Sequence, residues 1–229
     1  MRGLCLKEYL FNQTRKGLKD QTRKSIHIPT QYDLQAAEPM QLDIHSMPFL
    51  PLQNGEAYFP KSKYEVGGIY YLKEPFAELD GKLIYKYDYE IGDPFRDAQK
   101  WRNKLFMPAA CARYFIEILA VKAEYLQQIS PADVIAEGVQ SGISTFWDDR
   151  EGDKTMRYYA NYGFNRRLKK LNPSAHEMFG PSGGCFTGDN GHLHAYASLI
   201  NRINGADFWE GNPIVWKYSF KKLVRVFNS

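Results

Sequence analysis

The segment between residues 112 and 138 constrains the fold more than any other part of the sequence. It opens with a long run, residues 112–126, in which apolar side chains fill both sets of alternate positions: Tyr114, Phe115, Ile116, Ile118, Leu119, Ala120 and Val121. A strand that is apolar on both faces is covered on both sides. Because polar Glu117 and Lys122 interrupt the run, the pattern predicts a bent strand of a barrel rather than an open edge strand.

A short helix with a full set of end signals follows this strand. Ser130 can cap it, Pro131 suits the first helical position, and Gly138 can end it in the left-handed conformation. Glu137 then falls in the last turn, where a negative charge opposes the helix dipole. The sequence therefore predicts that Glu137 needs a cationic partner.

The segments before this strand read as loops and short strands. Five prolines break residues 29–62, so this segment is expected to be loop-rich. Residues 67–73 predict a turn and a strand that Pro75 ends, and Tyr- and Ile-rich residues 83–89 predict another strand.

The segments after the short helix predict an insertion, a helix and a final strand. Residues 141–192 mix acidic, basic and Gly-Pro-rich patches and read as an insertion. Residues 194–204 predict a helix that Gly205 stops, and the alternation over 214–221 predicts the last strand. Few helices among short strands indicate an α+β fold in one domain over residues 1–229.

Composition excludes several classes of protein. With 44% hydrophobic and 15% aromatic residues, the chain can bury a core, which argues against disorder. It lacks the roughly 20-residue apolar run of a membrane span and the apolar core of a secretory signal. Three scattered cysteines without a Cys-x-x-Cys pair argue against a disulfide scaffold or a zinc ribbon, so a cytoplasmic protein is expected.

Charge is concentrated at the two ends of the sequence. Residues 1–30 hold seven basic and two acidic residues, and residues 217–229 hold four basic residues and no acid. The remainder has 19 basic and 24 acidic residues. If the two ends meet, they form a basic face that would attract phosphates; otherwise these cations are only solvated.

The most suggestive short motif is Gly17-Leu18-Lys19-Asp20-Gln21-Thr22-Arg23-Lys24. Glycine permits close approach of a ligand, and the cations can grip an anion or a nucleotide. A partly desolvated lysine can also act as a base toward a threonine hydroxyl. A solvated basic turn has the same composition, so these residues alone leave the choice open.

This motif resembles the Gly-x-Lys-x-x-[Glu/Thr]-x-Arg signature of the ASCH domain, a relative of the PUA RNA-binding barrel. It is most similar to the bacteriophage and prophage branch labelled morphogenetic proteins. Four further segments agree in order with that branch: the strand 67–76 ending in Glu74-Pro75-Phe76; Trp101 with Met107-Pro108 and Arg113; 125–138, ending in Ala136-Glu137-Gly138; and 209–216, Trp-Glu-Gly-Asn-Pro-Ile-Val-Trp.

The resemblance implies a PUA-like small β-barrel with short flanking helices and a cleft lined by the signature. Some ASCH proteins remove the acetyl group from N4-acetylcytidine, and others are linked to RNA. Carried over residue by residue, Lys19, Thr22 and Glu137 would be the catalytic residues of such an amidohydrolase. The substrate or RNA would contact Gly17, Arg23, Lys24, Glu74, Arg113 and Trp209.

Three features depart from the family pattern. Asp20 replaces a common threonine and puts a negative charge beside the cations of the signature. Lys24 replaces the final arginine of the signature, which removes a bidentate grip. Ala109 stands where many relatives have arginine, which removes one possible phosphate contact. Besides the hydrolase, two interpretations therefore stay open: an RNA- or modified-base-binding module without chemistry, and a phage-encoded interaction protein with a vestigial cleft.

Two further clusters contain residue types that are found in metal sites or nucleic-acid-binding sites. Cys185, Asp189, His192 and His194 match no standard zinc spacing, so neither a metal nor another cofactor is expected. A basic and aromatic group within 158–170, with Arg166-Arg167 and Lys169-Lys170, suits single-stranded nucleic acid or a solvated helix. The expected partner is a nucleoside or RNA, with no membrane.

Overall fold

The computed structural model describes residues 1–27, 50–51, 57–148, 152–162, 185–187 and 189–223. Over these ranges the strands form one five-stranded, one three-stranded and two two-stranded sheets, accompanied by four α-helices. The chain is therefore a mixed α+β protein, which confirms the α+β part of the predicted fold, and the PUA-like small barrel stays a prediction. None of the described helices is long and apolar enough to cross a membrane.

The elements are numbered here in chain order. The strands are β1 Gly3–Cys5, β2 Gln21–Ser25, β3 Leu50–Pro51, β4 Ala57–Tyr58, β5 Ile69–Lys73, β6 Phe76–Leu79, β7 Lys82–Tyr85, β8 Phe115–Tyr125, β9 Ser141–Asp148, β10 Gly152–Ala160, β11 Cys185–Phe186 and β12 Ile214–Leu223. The helices are α1 Glu8–Arg15, α2 Pro94–Ala98, α3 Pro131–Ala136 and α4 Gly191–Asn204.

The strand order of the largest sheet is β1-β5-β8-β12-β2. The chain divides into two compact units: residues 1–20, 62–121 and 218–229 form the first, and residues 21–61 and 122–217 form the second. Strands β8 and β12 run from one unit into the other along the chain. The single domain expected over residues 1–229 stays a prediction.

In the first unit, the core is built on β5 and β8. These strands are antiparallel, with Ile69 opposite Glu117. Leu72 and Ile116 are fully buried, whereas Leu119, on the other face of β8, is 48% exposed. The expectation of two apolar faces on this strand therefore holds for one face only. Helix α1, which the sequence analysis did not predict, packs the ring of Phe11 against Tyr87 and Tyr114.

The two ends of the described chain meet in this unit. The backbone N–H of Phe220 donates to the carbonyl of Asp20 at 2.7 Å, and Lys222 Nζ donates to the carbonyl of Arg15 at 2.7 Å. The sequence analysis named one condition for a basic face, namely that the two basic ends meet. The described residues near the two ends fulfil this condition. Their charge is partly neutralised, because Arg15 pairs with Asp88 and Lys221 with Glu117.

In the second unit, the predicted short helix is confirmed as α3. Ser130 Oγ accepts from the N–H of Asp133 at 3.1 Å, Pro131 occupies the first turn, and Gly138 has φ +87°. Helix α4 begins at Gly191, three residues before the predicted start at His194. It ends at Asn204, and the next residue, Gly205, has φ +115°.

The segment predicted as an insertion contains ordered strands. Strands β9 and β10 pair as an antiparallel hairpin from Ser141 opposite Tyr159 to Asp148 opposite Gly152, and β11 adds to β10. The predicted strand over 83–89 ends early, because β7 stops at Tyr85 and a 3₁₀ turn follows at Lys86–Asp88.

Candidate functional site

The signature begins at the end of helix α1 and continues into strand β2. Gly17 has φ +77°, and its N–H donates to the carbonyl of Thr14, so this glycine closes the helix in the left-handed conformation that favours glycine. Lys19 follows in the first unit and is only 2% exposed. The motif is therefore not a solvated basic turn, because its central lysine is buried.

Strand β2 carries the rest of the signature in the second unit. Thr22 and Arg23 are buried, and Lys24 is exposed. Side chains of a strand point alternately to its two faces. Thr22 and Lys24 therefore share one face, and Gln21 and Arg23 share the other.

Arg23 is the centre of a buried charge cluster in this unit. Its side chain has no exposed surface and donates to three carboxylates. Nε and Nη2 both bind Glu124 Oε1, at 2.9 and 2.6 Å. Nη1 binds Glu137 Oε1 at 3.0 Å, and Nη2 binds Asp133 Oδ2 at 3.0 Å. Burial alone would lower the pKa of Arg23, but the charges of Glu137 and Glu124 raise it above its ordinary value.

This cluster supplies the cation that Glu137 was predicted to need. Glu137 is the C-cap residue of α3 and is 4% exposed. Arg23 is such a cation, since its Nη1 donates to Glu137 Oε1. Of the sequence-predicted site residues in the second unit, Arg23 and Glu137 are brought into direct contact.

Asp133 joins the cluster to strand β12. Lys217 Nζ binds both of its carboxylate oxygens at 2.8 Å. Burial would raise the pKa of Asp133, but the hydrogen bond from Lys217 and the nearby charge of Arg23 lower it to about 2. Asp133 is therefore ionised in the folded state well below the pH at which an ordinary aspartate takes up a proton.

Stability should fall as the pH drops from about 4 to about 2. The folded-state pKa of Asp133 is below its ordinary value of 3.8, so its ionised form stabilises the fold above that pH. This contribution is lost as the pH falls through the folded-state pKa. Urea unfolding of the wild type and of Asp133→Asn at about pH 5 and about pH 2.5 should show a smaller loss in the variant. Equal losses would contradict the assignment.

Tyr196, from helix α4, lies beside the same charges. Burial raises the pKa of its phenol well above the ordinary value, and the charge of Glu137 adds to this effect. Its hydroxyl is buried beside the Arg23 guanidinium, whose charge opposes the effect of burial on the pKa of the phenol. Sequence analysis missed Tyr196 and Glu124, because nothing along the chain links α4 or the end of β8 to the signature.

Trp209 occupies the turn that follows α4. Its N–H donates to Asn201 Oδ1 at 2.7 Å, and its carbonyl accepts from Gln127 Nε2 at 2.8 Å. Its ring meets that of Tyr196 edge-on at 6.0 Å. Trp209 is half-buried, so part of its surface is open to a ligand.

The predicted binding residues Glu74 and Arg113 pair with each other in the first unit. Arg113 donates to both oxygens of Glu74 at 2.8 Å and also binds Asp88. The guanidinium lies 3.9 Å from the ring centre of Tyr85. Burial raises the pKa of the fully buried Glu74 despite the opposing hydrogen bond and charge of Arg113.

One of the other two clusters lies within the described residues, and the basic part of the second lies outside them. No group of three or more His, Cys, Asp and Glu side chains is placed to hold a metal ion in the ranges that the structure covers. His192 packs near Tyr159, and His194 near Phe186. Arg166-Arg167 and Lys169-Lys170 lie outside the described residues.

Comparisons with protein-family models, with curated proteins and with solved structures give no match to this chain.

Proposed function

We propose that this chain is an ASCH-like, PUA-like protein that hydrolyses the amide bond of an N4-acylated cytidine. The observation that carries this proposal is the burial of Lys19, Thr22 and Glu137, which are 2%, 4% and 4% exposed. Reactive groups in a water-poor environment suit catalysis, because electrostatic interactions are stronger where water is excluded. A surface that only grips phosphates needs exposed cations instead.

Arg23 and Arg113 both bind carboxylates already, which supports a small substrate rather than RNA as the ligand. Arg23 and Arg113 were both predicted to contact the ligand. Arg23 already binds three carboxylates, and Arg113 binds Glu74 and Asp88. Breaking such buried pairs to reach a phosphate would cost several kcal/mol. These guanidiniums instead fix the carboxylates in position.

The proposed reaction uses the signature as follows. Thr22 Oγ1 attacks the acyl carbonyl while Lys19 accepts the hydroxyl proton. The C–N bond breaks as Lys19 passes that proton through the Glu137 carboxylate to the departing amine of cytidine, so both groups return to their starting protonation states. Water then cleaves the acyl-threonine ester, which releases the carboxylic acid and restores the hydroxyl.

Strand alternation places Thr22 on the face of β2 opposite Arg23, and β2 is an edge strand of its described sheet, so the proposed reaction requires a substrate that reaches Thr22 and Glu137 around this edge. Arg23 binds Glu137 directly, so its guanidinium holds the carboxylate in a fixed orientation. A positioned carboxylate is the requirement for acid–base catalysis, which contributes about 10²–10⁴-fold to a rate.

Chromatography of the pure protein with N4-acetylcytidine tests the proposal. Wild type and Thr22→Ser should release cytidine, whereas Thr22→Ala and Lys19→Ala should not. Glu137→Gln should lower kcat by about 10²–10⁴-fold. Ser25→Ala is the matched control, because Ser25 is exposed on the same strand and lies outside the signature. Circular dichroism must show that each inactive variant is folded.

No cytidine from the wild type, or full turnover by Thr22→Ala, would rule out this mechanism. The runner-up is a module that binds RNA or a modified base through the signature without chemistry. Lys24 is the exposed cation of the signature on β2, and it favours this alternative. Binding of that kind should weaken steeply with salt and with Lys24→Ala, whereas hydrolysis of a neutral nucleoside should respond little to either.

A further inference from the structure

A rigid turn in the first unit presents an unburied aromatic ring. Residues 103–106, called the 103–106 tip below, end in Leu105 and Phe106, which are 57% and 82% exposed. Phe106 is thus the most exposed of the large hydrophobic side chains in the described chain. Adjacent large apolar side chains that are exposed together are a feature of interaction surfaces.

Hydrogen bonds fix the backbone of the 103–106 tip from several sides. Asn103 Oδ1 accepts from the N–H of Leu105 at 2.9 Å, and the N–H of Phe106 donates to the carbonyl of Asn103 at 3.1 Å. Lys73 Nζ donates to the carbonyl of Leu105 at 2.7 Å. The exposure of Phe106 is therefore imposed by the local structure.

The base of the tip is anchored in the core of the first unit. The buried hydroxyl of Tyr71 donates to the carbonyl of Met107 at 2.8 Å. Lys104 Nζ turns inward and donates to the carbonyl of Leu6, so it does not serve the outer surface. An aromatic ring on such an anchored turn is preorganised to bind, because little entropy is lost when a ligand covers it.

The chain segment that carries this ring is rich in basic residues. Residues 98–116 hold Lys100, Arg102, Lys104 and Arg113 and no acidic residue. Lys100 and Arg102 are exposed, and Lys73 lies at the tip through its bond to Leu105. The N–H of Arg102 donates to the carbonyl of Phe76, which holds that stretch beside β6. An anionic ligand that carries flat rings matches both features.

We propose that the 103–106 tip binds single-stranded nucleic acid. A base stacks on the ring of Phe106, and phosphates are held by Lys73, Lys100 and Arg102. Aromatic platforms flanked by cations bind single strands in this way with little sequence preference. This surface is separate from the signature, and the proposal does not rest on the hydrolysis proposed above.

Fluorescence anisotropy with a labelled mixed-sequence oligonucleotide, made once as RNA and once as DNA, tests the proposal. Loss of one stacked base by Phe106→Ala should weaken binding by about 5- to 150-fold. Phe106→Tyr, which keeps the aromatic face, should bind like the wild type, and Phe106→Leu, which keeps only the apolar bulk, should bind like the alanine variant. Phe59→Ala, which removes another exposed phenylalanine, is the matched control and should have no effect.

Salt titration provides a second readout. Contacts to about three phosphates predict a slope of about −2 for the logarithm of the binding constant against the logarithm of salt concentration. The slope should become shallower by about 0.7 in Arg102→Gln. A difference in affinity between the RNA and the DNA oligonucleotide shows which of the two nucleic acids the 103–106 tip prefers.

Three results would overturn the proposal. The wild type could fail to bind either oligonucleotide, or Phe106→Ala could bind as tightly as the wild type. Full binding by Phe106→Leu would show an apolar contact in place of stacking. The signature-based RNA alternative stays distinguishable, since it predicts loss of binding in Lys24→Ala and no loss in Phe106→Ala.

Discussion

Replacement of Arg23 by methionine is expected to lower the free energy of unfolding by about 3–5 kcal/mol. The wild-type guanidinium has no exposed surface and binds Glu124, Asp133 and Glu137. Methionine fills much of the volume but leaves these carboxylates without their central cation. Two of them are only 5% exposed, so water cannot replace the lost partner.

Urea unfolding followed by circular dichroism measures this effect. Arg23→Lys should lose less than Arg23→Met, because lysine keeps the charge but cannot reach three carboxylates with a planar fork. It also keeps the prediction measurable if the methionine variant does not fold. Lys24→Met is the control on the next residue of β2, and its exposed position predicts a change within about 0.5 kcal/mol. Equal stability of Arg23→Met and Lys24→Met would refute the cluster's role.

The elements that could be predicted are specified by residues that lie close together in the sequence. Helix α3 was predicted because its cap, its first-turn proline and its terminal glycine are adjacent in sequence, and each acts within one turn. Strand β8 was predicted because its apolar run is long. The start of β12 was predicted from the alternation of residue types over 214–221, and the large apolar residues of this alternation are buried in the structure.

The parts that were missed depend on distant partners. Strand β1 has only three residues, and its partner strand β5 lies almost seventy positions further along the chain. The hairpin β9–β10 sits in a segment whose mixed charges hide any strand period. Helix α1 has little apolar surface, and its buried face includes Gln13 and Thr14, whose polarity conceals it.

The candidate site was predictable in its members but not in its pairings. Sequence reasoning marked Glu137 as an unfavourable charge and Arg23 as a ligand-binding cation. Their ion pair spans 114 positions of the chain, and no local pattern encodes it. The same holds for Glu74 and Arg113, which were each selected for a ligand and bind each other. Buried opposite charges satisfy one another first, since an unpaired buried charge costs more than a surface charge gains from a ligand.

Replacement of Arg113 by methionine should destabilise the chain by about 3 kcal/mol near neutral pH and by less at about pH 5. Glu74 has no exposed surface, and its pKa is already raised by burial in the wild type. Without Arg113 that pKa rises further. The folded state then binds a proton that the unfolded state does not, so stability increases as the pH falls through this window. Urea midpoints at the two pH values measure the trend.

The double variant Arg113→Met with Glu74→Gln separates the ion pair from other effects of the substitution. Glutamine carries no charge, so most of the lost stability should return and the added pH dependence should disappear. A flat pH profile in Arg113→Met alone would contradict the raised pKa of Glu74. The double variant also tests the role that sequence analysis gave this pair. If it is stable and still releases cytidine from N4-acetylcytidine at the wild-type rate, Glu74 and Arg113 hold the first unit together and do not touch the substrate.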